Sequence, residues 1–268
     1  MKYGFIGTGC MGSALATACA KAIGPEDILL SNRSPEKAQA LAEKLGAIPA
    51  DNETITRDCD VIFLGVKPQT MAQMLLPLQP ILTGRRTPFV LVSMAAGVTI
   101  EALQDMAGGR YPVVRIMPNT ACAVGAGMTT YTCSAEVTDR QRQTVLDALA
   151  ASGLLEEIEE GLMGSASAVA GCGGAYACLF LEGLADGGVL CGLPRKKAQR
   201  MAAQMLLGMA TQALESDEHT GALKDAVCSP AGSTIAGIRK LESMSFRSAA
   251  MEAVIAAWER EREMQQQK

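Results

Sequence analysis

Aromatic residues and histidine are scarce in this chain of 268 residues. Phe, Trp and Tyr together make up 4% of the sequence and histidine occurs once, although hydrophobic residues reach 49%. Alanine, leucine, valine and 15 methionines supply most of the apolar side chains instead, which favours closely packed helices over a β-sandwich. A structural zinc site needs clustered cysteine and histidine ligands at short spacing, so we expect no metal.

Basic runs and paired cysteines are also missing. The formal net charge is −4, and no run of Lys and Arg could follow a phosphate backbone, so we expect no nucleic-acid partner. The nine cysteines are odd in number and include no CxxC pair, which indicates free thiols in the cytoplasm. The first residues already form a predicted core strand, so we expect no signal peptide.

One stretch without charged residues, from Met163 to Leu181, is long enough to cross a membrane. It is rich in glycine, serine and alanine, and it runs into Glu182. We interpret it as the buried start of a helical domain and expect no membrane partner.

A glycine-spaced turn directly follows the first apolar run, Tyr3–Ile6. Between a strand and a helix, such a turn is typical of a dinucleotide pyrophosphate site. Gly7 permits the tight turn, Gly9 lets the backbone approach the phosphates, and Gly12 lets the helix pack on the strand. The helix N-terminus offers free N–H groups to the anion. The predicted contacts are Ile6, Gly7, Thr8, Gly9, Cys10, Met11 and Gly12.

Strand and helix patterns alternate through the first half of the chain. Strands are predicted at Tyr3–Ile6, Asp27–Ser31, Asp60–Val66, Phe89–Ser93, Val113–Ile116 and Met128–Thr132. Helices are predicted at Met11–Ile23, Pro35–Leu45, Gln69–Leu78 and Thr138–Ser152. This alternation predicts an α/β fold with a Rossmann-type doubly wound sheet.

After about residue 160 only helical patterns remain. They are Gly164–Leu190, Pro194–Glu215, Gly221–Val227, Ser233–Leu241 and Ser245–Arg262. We therefore divide the chain into a dinucleotide-binding domain, residues 1–160, and an all-helical domain for dimerisation and substrate binding, residues 161–268. Substrate is expected between them, at the carboxyl ends of the strands.

The end of the second strand bears on the choice of cofactor. NAD enzymes usually carry Asp or Glu there, about 20 residues beyond the glycines. This chain has Ser31, Asn32, Arg33 and Ser34 instead. Arg33 can pair with a 2′-phosphate and the serine hydroxyls can donate to it, so we predict NADP(H) over NAD(H). The alternative is that Asn32 and Ser34 merely cap the helix that begins at Pro35.

Four stretches resemble the pyrroline-5-carboxylate reductase family, and the resemblance covers nearly the whole chain. They are Phe5–Gly12, Val66–Gln69, Arg115–Thr120 and, above all, Leu223–Gly237 with its Ser229-Pro230-Ala231-Gly232-Ser233-Thr234 loop. The resemblance implies reduction of the cyclic imine 1-pyrroline-5-carboxylate to L-proline by NAD(P)H. The cofactor would carry the hydride, so the protein needs no nucleophile and no metal.

The resemblance also implies roles for individual residues. Ser229, Gly232, Ser233 and Thr234 would contact the substrate carboxylate, with the Thr234 hydroxyl near the imine nitrogen. The stretch Gly65, Val66, Lys67 and Pro68 would line the nicotinamide end of the cofactor, with Lys67 a second candidate catalytic residue. Asn52 would lie nearer the adenosine ribose. Ala95, Ala96 and Gly97 permit close approach of the cofactor. A helix cap for Thr234 and a surface position for Lys67 are the alternatives.

Other functions stay open because the sequence departs from the family pattern. The family has Gly where Ala231 stands, and Ala170–Tyr176 lacks two hydroxyls and a proline of the family's Ser-Gly-Ser-Gly-Pro-Ala-Tyr. A reductase of a related cyclic imine, a β-hydroxyacid dehydrogenase relative and a non-enzymatic dinucleotide-binding regulator are therefore alternatives. His219 is expected at the surface or at a subunit contact, and Glu182 with Asp186 in a structural role.

Apolar stripes in the helical half predict assembly. Met201, Met205 and Met209 form one stripe, and Met251, Val254, Ile255 and Trp258 form another. Five helices leave more apolar surface than one small layer readily buries, unless the stripes pack on one another within the subunit. The resemblance adds homodimers through these helices that join into decamers.

Overall fold

The computed structural model describes residues 1–266, which form two compact units. The first unit contains Met1–Cys172 and the end of the chain from Ala257, and the second contains Gly173–Ala256. The chain therefore crosses between the units twice. The domain boundary expected after residue 160 precedes the first crossing and stays a prediction.

An eight-stranded sheet forms the centre of the first unit. The strands are β1 (Tyr3–Ile6), β2 (Ile28–Ser31), β3 (Ile48–Pro49), β4 (Val61–Leu64), β5 (Val90–Ser93), β6 (Val113–Met117), β7 (Gly127–Cys133) and β8 (Gly153–Glu157). Their order is β3-β2-β1-β4-β5-β6-β7-β8, and all neighbours are parallel except β6 and β7.

The chain order reverses at β1, which pairs with β2 on one side and with β4 on the other. Ligands of open α/β sheets bind beyond the carboxyl ends of the strands at such a reversal. The predicted doubly wound sheet is confirmed, and its reversal places the glycine-rich turn after β1 at the expected binding edge.

Helices cover both faces of this sheet. They are α1 (Cys10–Ile23), α2 (Pro35–Leu45), α3 (Asn52–Asp58), α4 (Pro68–Leu75), α5 (Gln79–Gly84), α6 (Ile100–Ala107) and α7 (Asp139–Leu149). Alternate residues of each strand face opposite sides, so Phe5 and Phe63 join one buried cluster while Ile6 and Leu64 join the other. The Phe5 and Phe63 rings stack with their centroids 4.3 Å apart.

The sequence missed the shorter elements: β3, β8, α3, α5 and α6. Each has two to eight residues, too few for a clear period.

The helix predicted to begin at Thr138 is α7, and Thr138 is its N-cap. Thr138 accepts from the Gln141 N–H at 3.2 Å, and the Gln141 side chain accepts from the Thr138 N–H at 3.0 Å.

Beyond residue 160 the structure is helical, as predicted. The α-helices are α8 (Met163–Ala166), α9 (Gly173–Leu190), α10 (Arg195–Glu215), α11 (Thr220–Ala226), α12 (Ser233–Ser243) and α13 (Phe246–Gln266). The single helix expected at Gly164–Leu190 was wrong, because a π-helical turn at Ser167–Gly171 separates α8 from α9. The Cys172 N–H donates to the Ser167 carbonyl at 2.9 Å, and Asn119 donates its amide to the Ala170 carbonyl at 3.1 Å.

A buried polar cluster lies beside this turn. Arg115 on β6 is 3% exposed, and it donates to a Glu160 carboxylate oxygen at 3.0 Å. The same oxygen accepts from the Ile100 N–H at 2.7 Å. Glu261 near the end of α13 is also buried, and one of its oxygens has no partner among the described residues. Burial raises the pKa of Glu261, although Ser167 and Arg115 oppose the shift.

Few apolar side chains of the second unit are buried. Between residues 173 and 256 the buried hydrophobic residues are Ala185, Ala198, Ala202 and Leu223. Met205 is 45% exposed and Leu190 is 90% exposed. The apolar stripes therefore do not bury one another within the subunit. The exposed apolar side chains of the second unit mark it as a contact site.

Among the described residues, one helical stretch, Glu160–Leu190, is long and apolar enough to cross a membrane by length and composition alone.

Candidate functional site

A groove of about 1700 Å³ opens at the carboxyl ends of β1, β2 and β4. Most of the predicted cofactor residues line it: Ile6, Gly7, Thr8, Gly9, Cys10, Ser31, Asn32, Arg33, Ser34, Asn52, Gly65, Val66 and Lys67. Met11, Gly12, Pro68, Ala95, Ala96 and Gly97 do not line it. The groove thus brings together the ends of three neighbouring strands, as the strand order requires.

The glycine-rich turn needs its three glycines for different reasons. Gly7 has φ +99°, a conformation that side chains rarely adopt. A Cβ on Gly12 would lie 2.1 Å from the Gly7 carbonyl oxygen, so α1 packs directly on the turn. Gly9 is the exposed N-cap of α1 at φ −70°, and a Cβ there would meet nothing within 4 Å. The protein therefore leaves a space beside Gly9 that a ligand can occupy.

The mouth of this turn suits an anion. The first turn of α1 carries no acidic residue, so the positive end of its dipole is not neutralised. The Thr8 side-chain oxygen is buried and has no hydrogen-bond partner among the described residues. Ser13 donates its hydroxyl to the Thr8 carbonyl at 2.9 Å, which holds the loop against the helix. These residues fit a dinucleotide pyrophosphate.

Polar residues continue the groove beyond β2. Ser31 is buried and donates its hydroxyl to the Asn52 side-chain oxygen at 2.5 Å, which ties the end of β2 to the start of α3. Ser34 is the N-cap of α2, but its side chain makes no capping hydrogen bond. Arg33 is exposed and has no ion-pair partner among residues 1–266. The Ser34 hydroxyl and the Arg33 guanidinium are both free for a ligand.

The end of β4 approaches the end of β1 closely. A Cβ on Gly65 would lie 2.4 Å from the Gly7 carbonyl oxygen, so only glycine fits. Lys67 follows as the exposed N-cap of α4, and its carbonyl accepts from the Thr70 hydroxyl at 3.0 Å. Pro68 occupies the first position of α4, where its fixed φ is compatible with a helix. The Lys67 side chain makes no capping hydrogen bond, and Lys67 is one of the residues that line the groove.

The end of β5 does not line the groove. Ala95 is buried, Ala96 is exposed, and Gly97 has φ +69° in the turn before α6. Met11 and Gly12 belong to the first turn of α1, whose N-cap is Gly9. The positive φ explains the glycine at position 97 independently of any ligand.

The predicted substrate loop belongs to the second unit. Gly232 is the N-cap of α12, its N–H donates to the Ser229 carbonyl at 3.0 Å, and Ser229 and Ser233 are exposed. Thr234 is exposed and is the second residue of the helix, so the alternative that it caps α12 is wrong. Ala231 has φ +57°, which costs a side-chain-bearing residue about 1–2 kcal/mol. The glycine of the family pattern would avoid this cost.

The remaining polar candidates have structural roles. His219 is exposed at the N-cap of α11, where its Nδ1 accepts from the Gly221 N–H at 3.0 Å. Asp186 on α9 pairs with Arg195 at the start of α10. In the part of the chain that the structure describes, no group of three His, Cys, Asp or Glu side chains could hold a metal ion.

Sequence reasoning missed several residues of the groove. They include Ser13, Lys37, Gln39, Glu53, Thr70, Gln73 and Met74. Lys37 and Gln39 lie in the first half of α2, so their distance along the chain from Arg33 could have suggested them. Glu53 belongs to α3, an element that the sequence did not reveal.

Both halves of the chain match models of known protein families. A family model described as "NADP oxidoreductase coenzyme F420-dependent" matches residues 2–97, and one described as "Pyrroline-5-carboxylate reductase dimerisation" matches residues 160–264. The Escherichia coli protein named pyrroline-5-carboxylate reductase is 38% identical over 97% of this chain and 96% of its own length. The Methanosarcina acetivorans protein of that name is 39% identical over 98% and 97%.

Solved structures agree with this similarity. The Plasmodium falciparum pyrroline carboxylate reductase, crystallised with NADP bound, is 34% identical with a TM-score of 0.88 and covers 99% of this chain and 98% of its own. A pyrroline-5-carboxylate reductase from Coxiella burnetii is 31% identical with a TM-score of 0.89, over 98% and 97%.

Proposed function

The chain belongs to the pyrroline-5-carboxylate reductase family, and we propose how its residues reduce 1-pyrroline-5-carboxylate to L-proline with NADPH. The observation that carries this function is similarity over the whole length, because curated relatives of that name match the nucleotide-binding half and the helical half together. A regulator that had kept only the Rossmann fold would be similar to these reductases in its first half alone.

The groove of the first unit holds the cofactor in this proposal. The turn Gly7–Gly12 and the N-terminus of α1 bind the pyrophosphate, while Arg33 and Ser34 bind the 2′-phosphate. Ser31 lines the groove, but its hydroxyl already donates to Asn52 and is not available to the phosphate. Asn52 lies near the adenosine ribose. NADPH is preferred over NADH because no carboxylate ends β2.

The nicotinamide end of the groove carries out the reduction. Bound NADPH supplies a hydride to the carbon of the C=N bond. In our proposal Gly65, Val66 and Lys67 line this end of the groove, and Lys67 presents a positive charge there. Pro68 and Ala95–Gly97 follow the ends of β4 and β5 without lining the groove. The free side chain of Lys67 supports this role, since it has no ion-pair partner within residues 1–266.

The loop before α12 binds the substrate in this proposal. The amide group of Ser233, with the Ser229 hydroxyl, holds the carboxylate at a helix N-terminus, while the Gly232 N–H stays bonded to the Ser229 carbonyl and shapes the loop. The Thr234 hydroxyl donates a hydrogen bond to the imine nitrogen, and the proton that this nitrogen gains as the ring carbon accepts the hydride is taken up from solvent through this hydroxyl. Support comes from the exposed position of Thr234 and from its freedom from capping α12.

The chain carries the dimerisation domain of its family, and we propose that it forms homodimers that join into decamers. The second unit exposes Leu190, Met205 and Ile255, which a second copy would cover. Light scattering separates the states, because one subunit has a mass of 28.0 kDa. A glutamate at Met205 or Ile255 should abolish both assembly and activity. An active monomer at micromolar concentration would refute the proposal.

We also propose a cytoplasmic location. All nine cysteines lie within the described residues and are free, as expected in a reducing compartment. The apolar helical stretch Glu160–Leu190 is then a subunit contact, since the dimerisation model covers it.

Three assays on the purified protein test the function. NADPH oxidation is followed with 1-pyrroline-5-carboxylate, NADP⁺ reduction is followed with 3-hydroxy acids, and NADPH binding is measured without substrate. Turnover of the imine with formation of proline supports the reductase. Turnover of hydroxy acids alone would instead indicate a hydroxyacid dehydrogenase, and binding without turnover would indicate a regulator.

A further inference from the structure

Another cavity, of about 360 Å³, lies away from the cofactor groove and shares no lining residue with it. Among the residues that the structure describes, its lining includes three arginines, Arg57, Arg85 and Arg86, and no acidic residue. Arg57 belongs to the last turn of α3, and the other two directly follow α5. The whole chain has a net charge of −4, so this concentration of positive charge is local.

The cavity lies at the amino ends of β4 and β5. Arg85 donates from Nη1 to the carbonyls of Thr56 and Cys59, both at 2.7 Å, and Cys59 comes just before β4. The Arg85 guanidinium also lies over the Phe89 ring, 4.7 Å from its centroid, and Phe89 directly precedes β5. The cofactor groove opens at the carboxyl ends of the strands. Because β4 has four residues, about 13 Å of strand separates the two sites.

Arg85 carries a positive charge that no carboxylate contacts. Its hydrogen bonds go to the two backbone carbonyls and to the Thr87 hydroxyl, which accepts from Nη2 at 3.0 Å. Its Nε is buried and has no hydrogen-bond partner among the described residues. Burial lowers the pKa of Arg85, and the charges of Asp60 and Asp58 oppose that shift. Neither aspartate lines the cavity or forms an ion pair with Arg85 within residues 1–266.

The other two guanidiniums are unpaired or weakly paired. Arg86 is exposed and has no ion-pair partner in the part of the chain that the structure describes. Arg57 Nη2 lies 3.9 Å from Glu53 Oε2, and the two side chains are 58% and 65% exposed. An ion pair this long and this exposed contributes little, so the charge of Arg57 remains available to a ligand.

Helix termini explain only part of this cluster. Arg85 bonds to carbonyls at the end of α3, and Arg57 in the last turn of α3 interacts favourably with the helix dipole. Arg86 has neither role, because it lies beyond α5, whose C-cap is Arg85. The structure therefore brings a third cation to the cavity without giving it a partner.

We propose that this cavity binds a small phosphorylated anion through Arg57 and Arg86, with the fixed charge of Arg85 behind them. A planar guanidinium matches a phosphoryl group because it donates two parallel hydrogen bonds to it. The volume suits a small molecule. Pro80 and Ile81 add an uncharged wall to the lining, which can contact the remainder of a phosphorylated organic molecule.

Calorimetric titration of the NADPH-saturated protein with inorganic phosphate and with ribose 5-phosphate, at constant ionic strength, tests this site. Bound NADPH keeps both probes out of the cofactor groove. Arg86→Ala should weaken binding about three- to tenfold, since an exposed guanidinium contributes less than a buried one. Arg86→Lys keeps the charge but loses the planar fork, so its affinity should lie between those of wild type and Arg86→Ala. Arg140→Ala is the matched control, because Arg140 is an exposed arginine on α7 that lines neither cavity.

The outcomes decide the proposal. Saturable binding that Arg86→Ala weakens and Arg140→Ala leaves unchanged supports it, and the tighter probe shows whether free phosphate or a phosphorylated organic molecule is the preferred ligand. Absence of saturable binding to the NADPH-saturated wild type would overturn it. Unchanged binding by Arg86→Ala would do the same. Equal losses in Arg86→Ala and Arg140→Ala would also overturn it, since they would reflect general charge attraction.

Discussion

Substituting Gly9 and Gly12 one at a time should separate ligand binding from folding. A Cβ at position 9 would meet no protein atom within 4 Å, whereas a Cβ at position 12 would lie 2.1 Å from the Gly7 carbonyl oxygen. We therefore expect Gly9→Ala to weaken NADPH binding in a normally stable protein. Gly12→Ala should destabilise the fold.

The magnitudes follow from these contacts. Gly9 has φ −70°, which alanine adopts freely. The weaker capping of alanine, up to about 1 kcal/mol, is offset by the smaller entropy of its unfolded chain, about 0.4–1 kcal/mol. A methyl group placed against the pyrophosphate costs about 1–3 kcal/mol, which weakens NADPH binding about 5- to 150-fold.

Gly12→Ala faces a different balance. The contact at 2.1 Å is too short by about 0.9 Å relative to the 3.0 Å that real Cβ atoms respect, and the opposing atom is backbone. Overpacking costs about 3 kcal/mol at this overlap, against about 1 kcal/mol that alanine gains in a helix. A net loss of about 2 kcal/mol lowers Tm by about 4–8 °C.

Thermal unfolding without ligand and calorimetric titration with NADPH measure the two effects. Gly84→Ala is the control, because Gly84 also has an empty Cβ position but does not line the groove. The reasoning is refuted if Gly9→Ala binds NADPH like the wild type. It is also refuted if Gly9→Ala loses as much Tm as Gly12→Ala.

Three further substitutions test separate parts of the account. Arg33→Asp should invert the cofactor preference, since a lost phosphate pair and a new repulsion cost NADPH about 2–4 kcal/mol; an unchanged NADPH/NADH ratio of kcat/KM would contradict it. Thr234→Val should lower kcat/KM for the imine about 10- to 100-fold with unchanged NADPH affinity, and wild-type turnover would remove Thr234 from the reaction. Because the folded-state pKa of Glu261 is raised, its ionisation costs stability as pH rises above the unfolded-chain value of about 4.3. The Tm advantage of Glu261→Gln over wild type should therefore grow between about pH 4 and about pH 7, and a pH-independent difference would exclude a raised pKa.

Local sequence patterns made the main architecture predictable. The buried strand β4, with the sequence VIFL, and the glycine-rich turn after β1 were both recognisable, because their patterns reflect local geometry. The two-residue strand β3 was not predictable because it is too short to show a period, and the antiparallel direction of β7 was not predictable because a strand's own sequence does not record the direction of its neighbour. The π-helical turn at Ser167–Gly171 depends on the distant side chain of Asn119.

The cofactor groove was predictable to a similar extent. Its glycines and Arg33 carry local signals, whereas Glu53 reaches the groove only because the unpredicted helix α3 brings it there. The buried pair of Arg115 and Glu160 joins residues far apart along the chain, and no sequence spacing reveals it. The strained φ of Ala231 became visible only in the structure, although the family pattern had marked that position.

Reduction of 1-pyrroline-5-carboxylate by the purified protein tests the central claim most directly. NADPH is supplied in excess, its oxidation is followed by absorbance, and proline is quantified chromatographically. We predict that proline forms in a one-to-one ratio with NADPH consumed, at a higher kcat/KM with NADPH than with NADH. A protein that is folded, assembled and able to bind NADPH but forms no proline would contradict the account.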